Sequence, residues 1–575
     1  EKFIEYNIVD VDLVVAMDEK LKFIDLCRAI CHAGYVPYED YMFSSKWLEG
    51  ACLAYLKTKN MVATNKPADR RERMQALKDN DQEKFIGAYV KEPIVGKYDW
   101  IYDLDLTSLY PSIIMTLNIS PETKIGKISN WDAEQYIKGE EVIYKLKGKD
   151  GDEYEYNRQE LADVIKDSQL GVAANGVLYM QDKPGLIADI LNTWFNKRVE
   201  YRKLEKKYGE EKNTELYEFY GKRQHVQKIL LNSMYGVLGL PAFRFYDVDN
   251  AEAVTLTGQV VIKKTAEMAN RKYWKELGTT DDYNVYIDTD SIYMMAEPLV
   301  KHRYPEYKTF DEKRMAVEVD NIATETQTFL NSFYDLLAER FFFIPKDKHR
   351  FEIKKEYISK AGFWVAKKRY AQWMILKNGI PCDKLDVKGL DVVRSSFPKA
   401  FQKFMSTMLK DILMGKDHDY IDDTLLTFKK SLPTLPVNTI AKGGALKELS
   451  KYDNGSWKTG DAVANFEKGT PAHVKAGITY NRLLKFFNCP YKHEPIRDGD
   501  KVKWVYLKDN PLGLETVAFK DYNDPKEIMD FVETYVDRNK IFEAELENKL
   551  DDFYNALKWD KVTADTKTAK KFFAF

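Results

Sequence analysis

Two short acidic clusters stand far apart in this 575-residue chain. Asp103-Leu104-Asp105 closes the run Trp100–Leu106, in which large apolar residues alternate with carboxylates, the pattern of a strand with one acidic face. Asp288-Thr289-Asp290 lies between Val285-Tyr286-Ile287 and Ser291-Ile292-Tyr293, strand-forming residues around an acidic hairpin tip. A carboxylate at a strand end, facing backbone groups in a turn, suits a hard divalent cation. For Asp105 taken alone, an ordinary strand end with a solvated acid is an equal reading. Asp288 and Asp290, exposed together at one tip, repel each other unless a cation lies between them, which favours a metal site. If the two clusters converge, they can hold a pair of divalent ions roughly 3.5–4 Å apart, the arrangement that serves in-line phosphoryl displacement.

Cationic residues complement them. Lys228, Asn232 and Tyr235 fall at i, i+4 and i+7, one stripe of a helix, where they can meet a triphosphate and a base. The alternative is an amphipathic helix with ordinary polar edges. Lys367-Lys368-Arg369-Tyr370, preceded by Phe363 and Trp364, interleaves basic and aromatic residues as phosphate contact and base stacking require, or else marks a solvated strand edge. With Arg198 opposite Lys228, the set points to nucleotidyl transfer.

The elements that must position these residues follow from periodicity. Residues 1–32 carry a helical pattern with Val11, Leu13, Val14, Leu21, Phe23, Ile24, Leu26 and Ile30 as its apolar face. Tyr6 and Asp10 share a face near its start. The charged stretch Asp69–Asp81 reads as a loop or linker. After the strand at 100–106, Pro111 is expected to push Tyr110 out of the helical region and make Thr107–Pro111 a turn. Lys149–Asp152 and Asn175-Gly176 read as tight turns. Two long helices, Ile187–Tyr208 and Thr214–Leu238, joined by the short link Gly209–Asn213, form an antiparallel hairpin that stops at Gly236, Gly239 and Pro241.

Bulk properties set the frame. The length implies three or four domains. Lys plus Arg (88) balances Asp plus Glu (90), so a nucleic-acid site has to come from local clusters. Five scattered cysteines argue for a reducing compartment and buried thiols, Cys27 and Cys31 included, rather than disulfides or zinc. No apolar run approaches the ~18 residues of a membrane span.

Read together, the motifs resemble those of the family-B (alpha-like) DNA polymerases, most nearly the replicative enzymes of T-even-like phages. Asp105-Leu-Thr-Ser-Leu-Tyr-Pro-Ser-Ile is similar to the first palm motif, Lys228-Ile-Leu-Leu-Asn-Ser-Met-Tyr-Gly to the fingers motif, and Tyr286-Ile-Asp-Thr-Asp-Ser to the second palm motif. Asn118-Ile-Ser-Pro-Glu-Thr, Lys367-Lys-Arg-Tyr, Lys388-Gly-Leu with Arg394-Ser-Ser, and Gly477-Ile-Thr-Tyr-Asn-Arg match further family segments in order. The resemblance runs from about residue 1 to the end.

It implies an α+β right-hand fold: a palm of antiparallel sheet and helices, helical-hairpin fingers and a mostly helical thumb. The segments would be 1–22, a remnant of a 3′–5′ exonuclease domain; 23–84, an N-terminal-domain-like segment and linker; 85–186 and 241–389, palm; 187–240, fingers; and 390–575, thumb. It implies template-directed addition of dNTPs to a primer 3′-hydroxyl with two Mg2+ ions, Mn2+ being a substitute. Asp105 and Asp290 would be the principal metal ligands, with the Leu106 carbonyl assisting and Asp288 in support; Asp103 would be an accessory or structural acid. Arg198, Lys228 and Asn232 would meet the triphosphate, with Ser108, Leu109 and Tyr110 completing the cradle. Tyr110 would exclude ribonucleotides, and Tyr235 and Gly236 would pack on the nascent base pair. Glu356 would lie near the metals, with Lys367, Lys368, Arg369, Tyr370, Tyr480 and Arg482 toward the DNA.

The resemblance has departures. Ile287 stands where many relatives have glycine, and the fingers are shorter than in many phage relatives. Tyr6-Asn-Ile-Val-Asp10 matches only the last proofreading motif, so this chain is expected to lack a complete exonuclease site unless a separate polypeptide supplies it. The tail Phe572-Phe573-Ala574-Phe575 resembles a sliding-clamp docking segment but lacks the usual acid. Primer-template DNA, dNTPs and a clamp are the implied partners, and the host cytoplasm the implied location. Two rival readings exist. A polymerase-fold subunit that binds primer-template without catalysis would be free to lose the repelling acids retained here. A reverse transcriptase or RNA polymerase would share the paired acids, but the fingers motif and Tyr110 favour deoxynucleotides.

Overall fold

The computed structural model describes all residues except 1, 64, 66–85, 150, 454–465, 490–492 and 561–575. The whole Asp69–Asp81 stretch and the aromatic tail with Phe572, Phe573 and Phe575 lie outside the described residues. The chain divides into two compact units: Glu1–Lys91, Asp103–Tyr293 and Asn321–Glu356 in one, and Glu92–Tyr102, Met294–Asp320 and Tyr357–Phe575 in the other.

The first unit opens with helix α1 (Lys2–Leu21) and helix α2 (Phe23–Gly34). The single helical pattern expected over 1–32 is broken at Lys22, which is left-handed at φ 53°. Val11, Leu13, Val14, Leu21, Phe23 and Ile24 are exposed rather than forming a packed face. Burial starts at Ile30 and Cys31, where α2 meets helix α3 (Ser44–Thr58).

Strand β1 (Gly96–Leu106) delivers its last residues, Asp103–Leu106, into this unit, where it lies beside β8 (Ser291–Met295) and β8 beside β7 (Asn284–Asp288). Helix α4 (Leu109–Leu117) follows β1 directly. A separate antiparallel sheet has the order β4-β3-β2-β6-β5, from β2 (Lys124–Ile128), β3 (Tyr144–Gly148), β4 (Glu153–Tyr156), β5 (Leu170–Val172) and β6 (Val177–Met180). Both expected turns join its strands: Gly148 N donates to Asp152 O at 2.7 Å, and Gly176 sits at φ 83° between β5 and β6.

The helical hairpin is α5 (Leu186–Glu210) and α6 (Thr214–Leu238), as the periodicity predicts. Its inner face buries Ile187, Leu191 and Trp194 from α5 and Leu230, Leu231, Met234 and Val237 from α6. Helix α7 (Val248–Leu277) packs against α4.

In the second unit the strand order is β11-β10-β9-β1, with β9 (Ile353–Ala366), β10 (Arg369–Lys377) and β11 (Ile380–Lys388) pairing antiparallel. Beyond residue 390 helices dominate, among them α8 (Lys399–Leu413), α9 (His418–Ser431), α10 (Ala472–Phe486) and α11 (Asn548–Leu557). A three-stranded sheet of β12 (Lys442–Ala445), β13 (Lys501–Tyr506) and β14 (Thr516–Phe519), not foreseen from sequence, packs on α10. Helices and antiparallel sheets are thus mixed along the chain, an α+β architecture. Among the described residues, no helix is long and apolar enough to cross a membrane.

Candidate active site

The site grows from the end of β1. Leu104 and Leu106 point into the core, and Asp105 between them stays half-buried. Leu106 N donates to Asp290 O at 2.8 Å, and Thr107 N to Glu352 O at 2.8 Å, so strand end, hairpin tip and the 352 segment are stitched by backbone. The chain then reverses at Ser108, left-handed at φ 49°, and enters α4. Ser112 braces this turn, its N bonding Ser108 O and its Oγ bonding Thr107 O, both at 2.9 Å. Here the expected effect of Pro111 fails: Tyr110 is helical. Pro111 occupies the first turn of α4, where its missing N–H forfeits no intrahelical bond, so the local bias is overridden.

Asp105 accepts a hydrogen bond from Ser291 Oγ at 2.8 Å. Burial, followed by the charge of Asp290, pushes its carboxyl up to about 7; Glu356 adds to the rise, while the Ser291 hydrogen bond and Lys228 oppose it. Asp290, Glu356 and Lys228 therefore all act on Asp105, although they come from three distant parts of the chain. Asp288 lies two residues before Asp290, at the end of the same strand. It is half-buried rather than exposed, bridged to Val90, and accepts from Thr289 Oγ1 at 3.3 Å. Asp103 is buried on β1.

Among the described residues no three His, Cys, Asp or Glu side chains form a metal-binding group. The Asp105–Asp290 pair nevertheless fits a divalent cation: burial and its neighbour's charge disfavour the ionised form of Asp105, and a cation offsets both. Two carboxylates, with backbone carbonyl, water and phosphate filling the remaining positions, is the donor set Mg2+ commonly takes.

Facing this pair, the ring of Tyr110 on α4 meets that of Tyr235 on α6, centroids 4.4 Å apart and planes at 47°. Burial, then Tyr235 and Asp290, push the Tyr110 hydroxyl up to about 12. Burial also raises Tyr235. Lys228, Asn232 and Gly236 are exposed along the same stripe of α6, and a Cβ at Gly236 would meet nothing within 4 Å. Arg198 on α5 is lowered by burial and by Arg202, and its buried Nε has no hydrogen-bond partner among the described residues. An unpartnered guanidinium edge is a binding capacity for an anion.

The start of α5 is tied down by the segment after α4. Asn118 Nδ2 donates to Met180 O (2.7 Å) and Lys183 O (2.8 Å), and its Oδ1 accepts from Gly185 N (2.7 Å). Ser120 Oγ accepts from Ile187 N at 2.9 Å, and Glu122 accepts from Leu186 N. These satisfy orphan N–H groups of the helix and fix the direction in which it carries Arg198.

The second unit corrects several expectations. Phe363, Trp364 and Tyr370 are buried, Trp364 and Tyr370 stacked on each other 5.8 Å apart, so they are core and offer no platform for bases. Arg369 is committed to Asp552 at 2.7 Å, with Asp391 at 3.9 Å. Lys367 and Lys368 form the exposed β9–β10 turn, Lys367 paired with Glu92 at 2.9 Å. Tyr480 is fully buried in α10, and Arg482 is buried against Asp453 and the Phe466 ring, so neither can touch DNA in this conformation. Tyr6 and Asp10 do lie on one helix, both exposed.

Sequence reasoning gave no role to Ser291, although it directly follows Asp290 in the quoted motif. A hydroxyl beside an acidic tip was the available signal. The capping role of Asn118 and Ser120 was likewise unassigned, because their partners lie more than sixty residues away.

With this geometry in place, comparison with known proteins gives a consistent picture. The model of DNA polymerase family B matches residues 43–303. The DNA-directed DNA polymerase of Enterobacteria phage T4 is 27% identical over 94% of this chain and 62% of its own length. That of Escherichia phage RB69 is 26% identical over 97% and 64%, and DNA polymerase 1 of Pyrococcus abyssi is 26% identical over 84% and 49%. Both comparisons find the chain similar to family-B DNA polymerases. Its similarity extends over nearly its whole length to the T4-like phage enzymes, of which it spans a little under two thirds.

Proposed function

We propose that this chain carries out template-directed DNA synthesis, adding dNTPs to a primer 3′-hydroxyl during viral DNA replication. The observation that carries this reading is the convergence of Asp290, Glu356 and Lys228 on Asp105, beside the Tyr110–Tyr235 pair. Asp105 and Asp290 would hold Mg2+, with the Leu106 carbonyl assisting; bound cations supply acidification of the primer hydroxyl and charge neutralisation of the triphosphate. Asp288 supports the tip that places Asp290.

Lys228, Asn232 and Arg198 receive the triphosphate, the partnerless Arg198 Nε being matched to a phosphate oxygen. The turn at Ser108–Leu109 offers backbone N–H groups at the start of α4, where a helix N-terminus favours negative charge. Tyr110 lies under the sugar and fills the volume of a 2′-hydroxyl. Tyr235, with the side-chain-free edge at Gly236, packs on the new base pair. Exposed Lys367 and Lys368 meet the primer-template backbone. The hydroxyl attacks the α-phosphorus, and pyrophosphate leaves into the Lys228 and Arg198 side.

Primer extension with purified chain, Mg2+ and dNTPs tests this. The expected result is extension by the native chain, reduced at least about 100-fold by Asp290→Asn. Equal extension by both, or none by either, overturns the catalytic reading. Tyr110→Ala is expected to raise ribonucleotide use relative to deoxynucleotide by about tenfold or more.

A further inference from the structure

Gly258 is buried in the middle of α7, where glycine destabilises a helix relative to alanine. Space accounts for it. A Cβ at this position would stand 3.2 Å from Tyr110 Cε1, 3.5 Å from Ile113 Cδ1 and 3.6 Å from Leu109 Cδ2, all on α4. The first of these is tighter than an ordinary carbon–carbon contact. On another side the Tyr110 ring meets Tyr235, centroids 4.4 Å apart. The ring is thus held between a helix face stripped of its side chain and a ring from the helical hairpin.

We infer that Gly258 is a positioning residue for the sugar site: by lacking a side chain it sets how deeply the Tyr110 ring sits, and so the room left for the incoming nucleotide. The inference rests on the reading of Tyr110 as the group beneath the sugar. A methyl group at 258 displaces the ring by a few tenths of an ångström away from α7, toward Tyr235 and the stripe of Lys228 and Asn232. Packed interiors transmit such shifts rather than absorb them, since few voids stand ready to take up the volume. The ring then encroaches on the deoxyribose itself, so the effect falls on nucleotide binding more than on the bond-making step.

Single-nucleotide incorporation kinetics test it in a set of ring variants. Gly258→Ala is expected to raise the KM for dNTPs about three- to tenfold while kcat stays within about twofold. The same rise is expected in a Tyr110→Phe background, which keeps the ring, and no rise in Tyr110→Ala, which removes it. Alanine's better helix preference and the tight contact with the Tyr110 ring oppose each other in stability, and a melting curve checks that the variant is folded at the assay temperature. An unchanged KM in Gly258→Ala, or an equal rise with and without the ring, overturns the inference. The underlying reading fails separately: it falls if Tyr110→Ala leaves ribonucleotide use unchanged, whatever Gly258→Ala does.

Discussion

Asp105 shows how one residue's surroundings become a testable property. Its carboxyl is pushed to about 7, above the roughly 4 of an unfolded aspartate, chiefly by burial and then by Asp290. Between those values the folded chain keeps a proton that the unfolded chain has lost. Metal-free stability from this group therefore falls as pH rises through that window, and the penalty is complete above about pH 7. Asp105→Asn, which carries no charge, should stabilise the metal-free protein at pH 8 by on the order of 1–4 kcal/mol and have little effect near pH 4. Thermal melts in chelator at both pH values check this. Magnesium should reverse the order: because the ligand must be deprotonated, it should stabilise the native chain more at pH 8 than at pH 5.5 and leave Asp105→Asn nearly unmoved.

At the scale of elements, the helical hairpin is only as well aimed as its first turn. Asn118, left-handed at φ 58° and buried, makes three side-chain hydrogen bonds with Met180, Lys183 and Gly185. Asn118→Ala leaves buried backbone groups unpaired and puts a Cβ-bearing residue without compensating hydrogen bonds in a strained conformation. A loss of about 3–4 kcal/mol is expected in urea unfolding, while Ser120→Ala, which removes one cap to Ile187 N, should cost about 1 kcal/mol. The hairpin itself was legible in the sequence, since apolar periodicity and the stop signals are local. Its anchoring was not, because the cap donors and acceptors belong to segments that meet only on folding. Pro111 teaches the converse. The bias of the preceding residue against helix is real, but a proline in the first turn loses nothing, so α4 begins at Leu109.

For the whole molecule, each compact unit has a core of its own: Ile113, Leu230, Val254 and Tyr286 are among the buried residues of the first, and Phe363, Phe401, Leu483 and Phe519 of the second. Calorimetry should accordingly show more than one transition, with a calorimetric enthalpy exceeding the van't Hoff value; a single two-state peak would contradict independent cores. The first helix departs from this economy. Among its described side chains none is buried, and Ile4, Ile8, Val11 and Val14 all face solvent, so α1 adds little to the stability of its unit.

By itself the sequence determined which residues are chemically able to serve a site. Acids at a strand end and a hairpin tip, a basic stripe on one helix, and the turns between are consequences of spacing over a few residues, where backbone geometry leaves few options. Only the tertiary structure decided which of them meet. Ser291 reaches Asp105 across 186 positions, and Asp290, Glu356 and Lys228 join it. The same long-range packing turned Tyr370, Tyr480 and Arg482 inward and set the Tyr110 ring close against Gly258. A residue's type declares what it can bind or donate; whether it faces solvent, a substrate or the core is settled by partners that the local sequence does not contain.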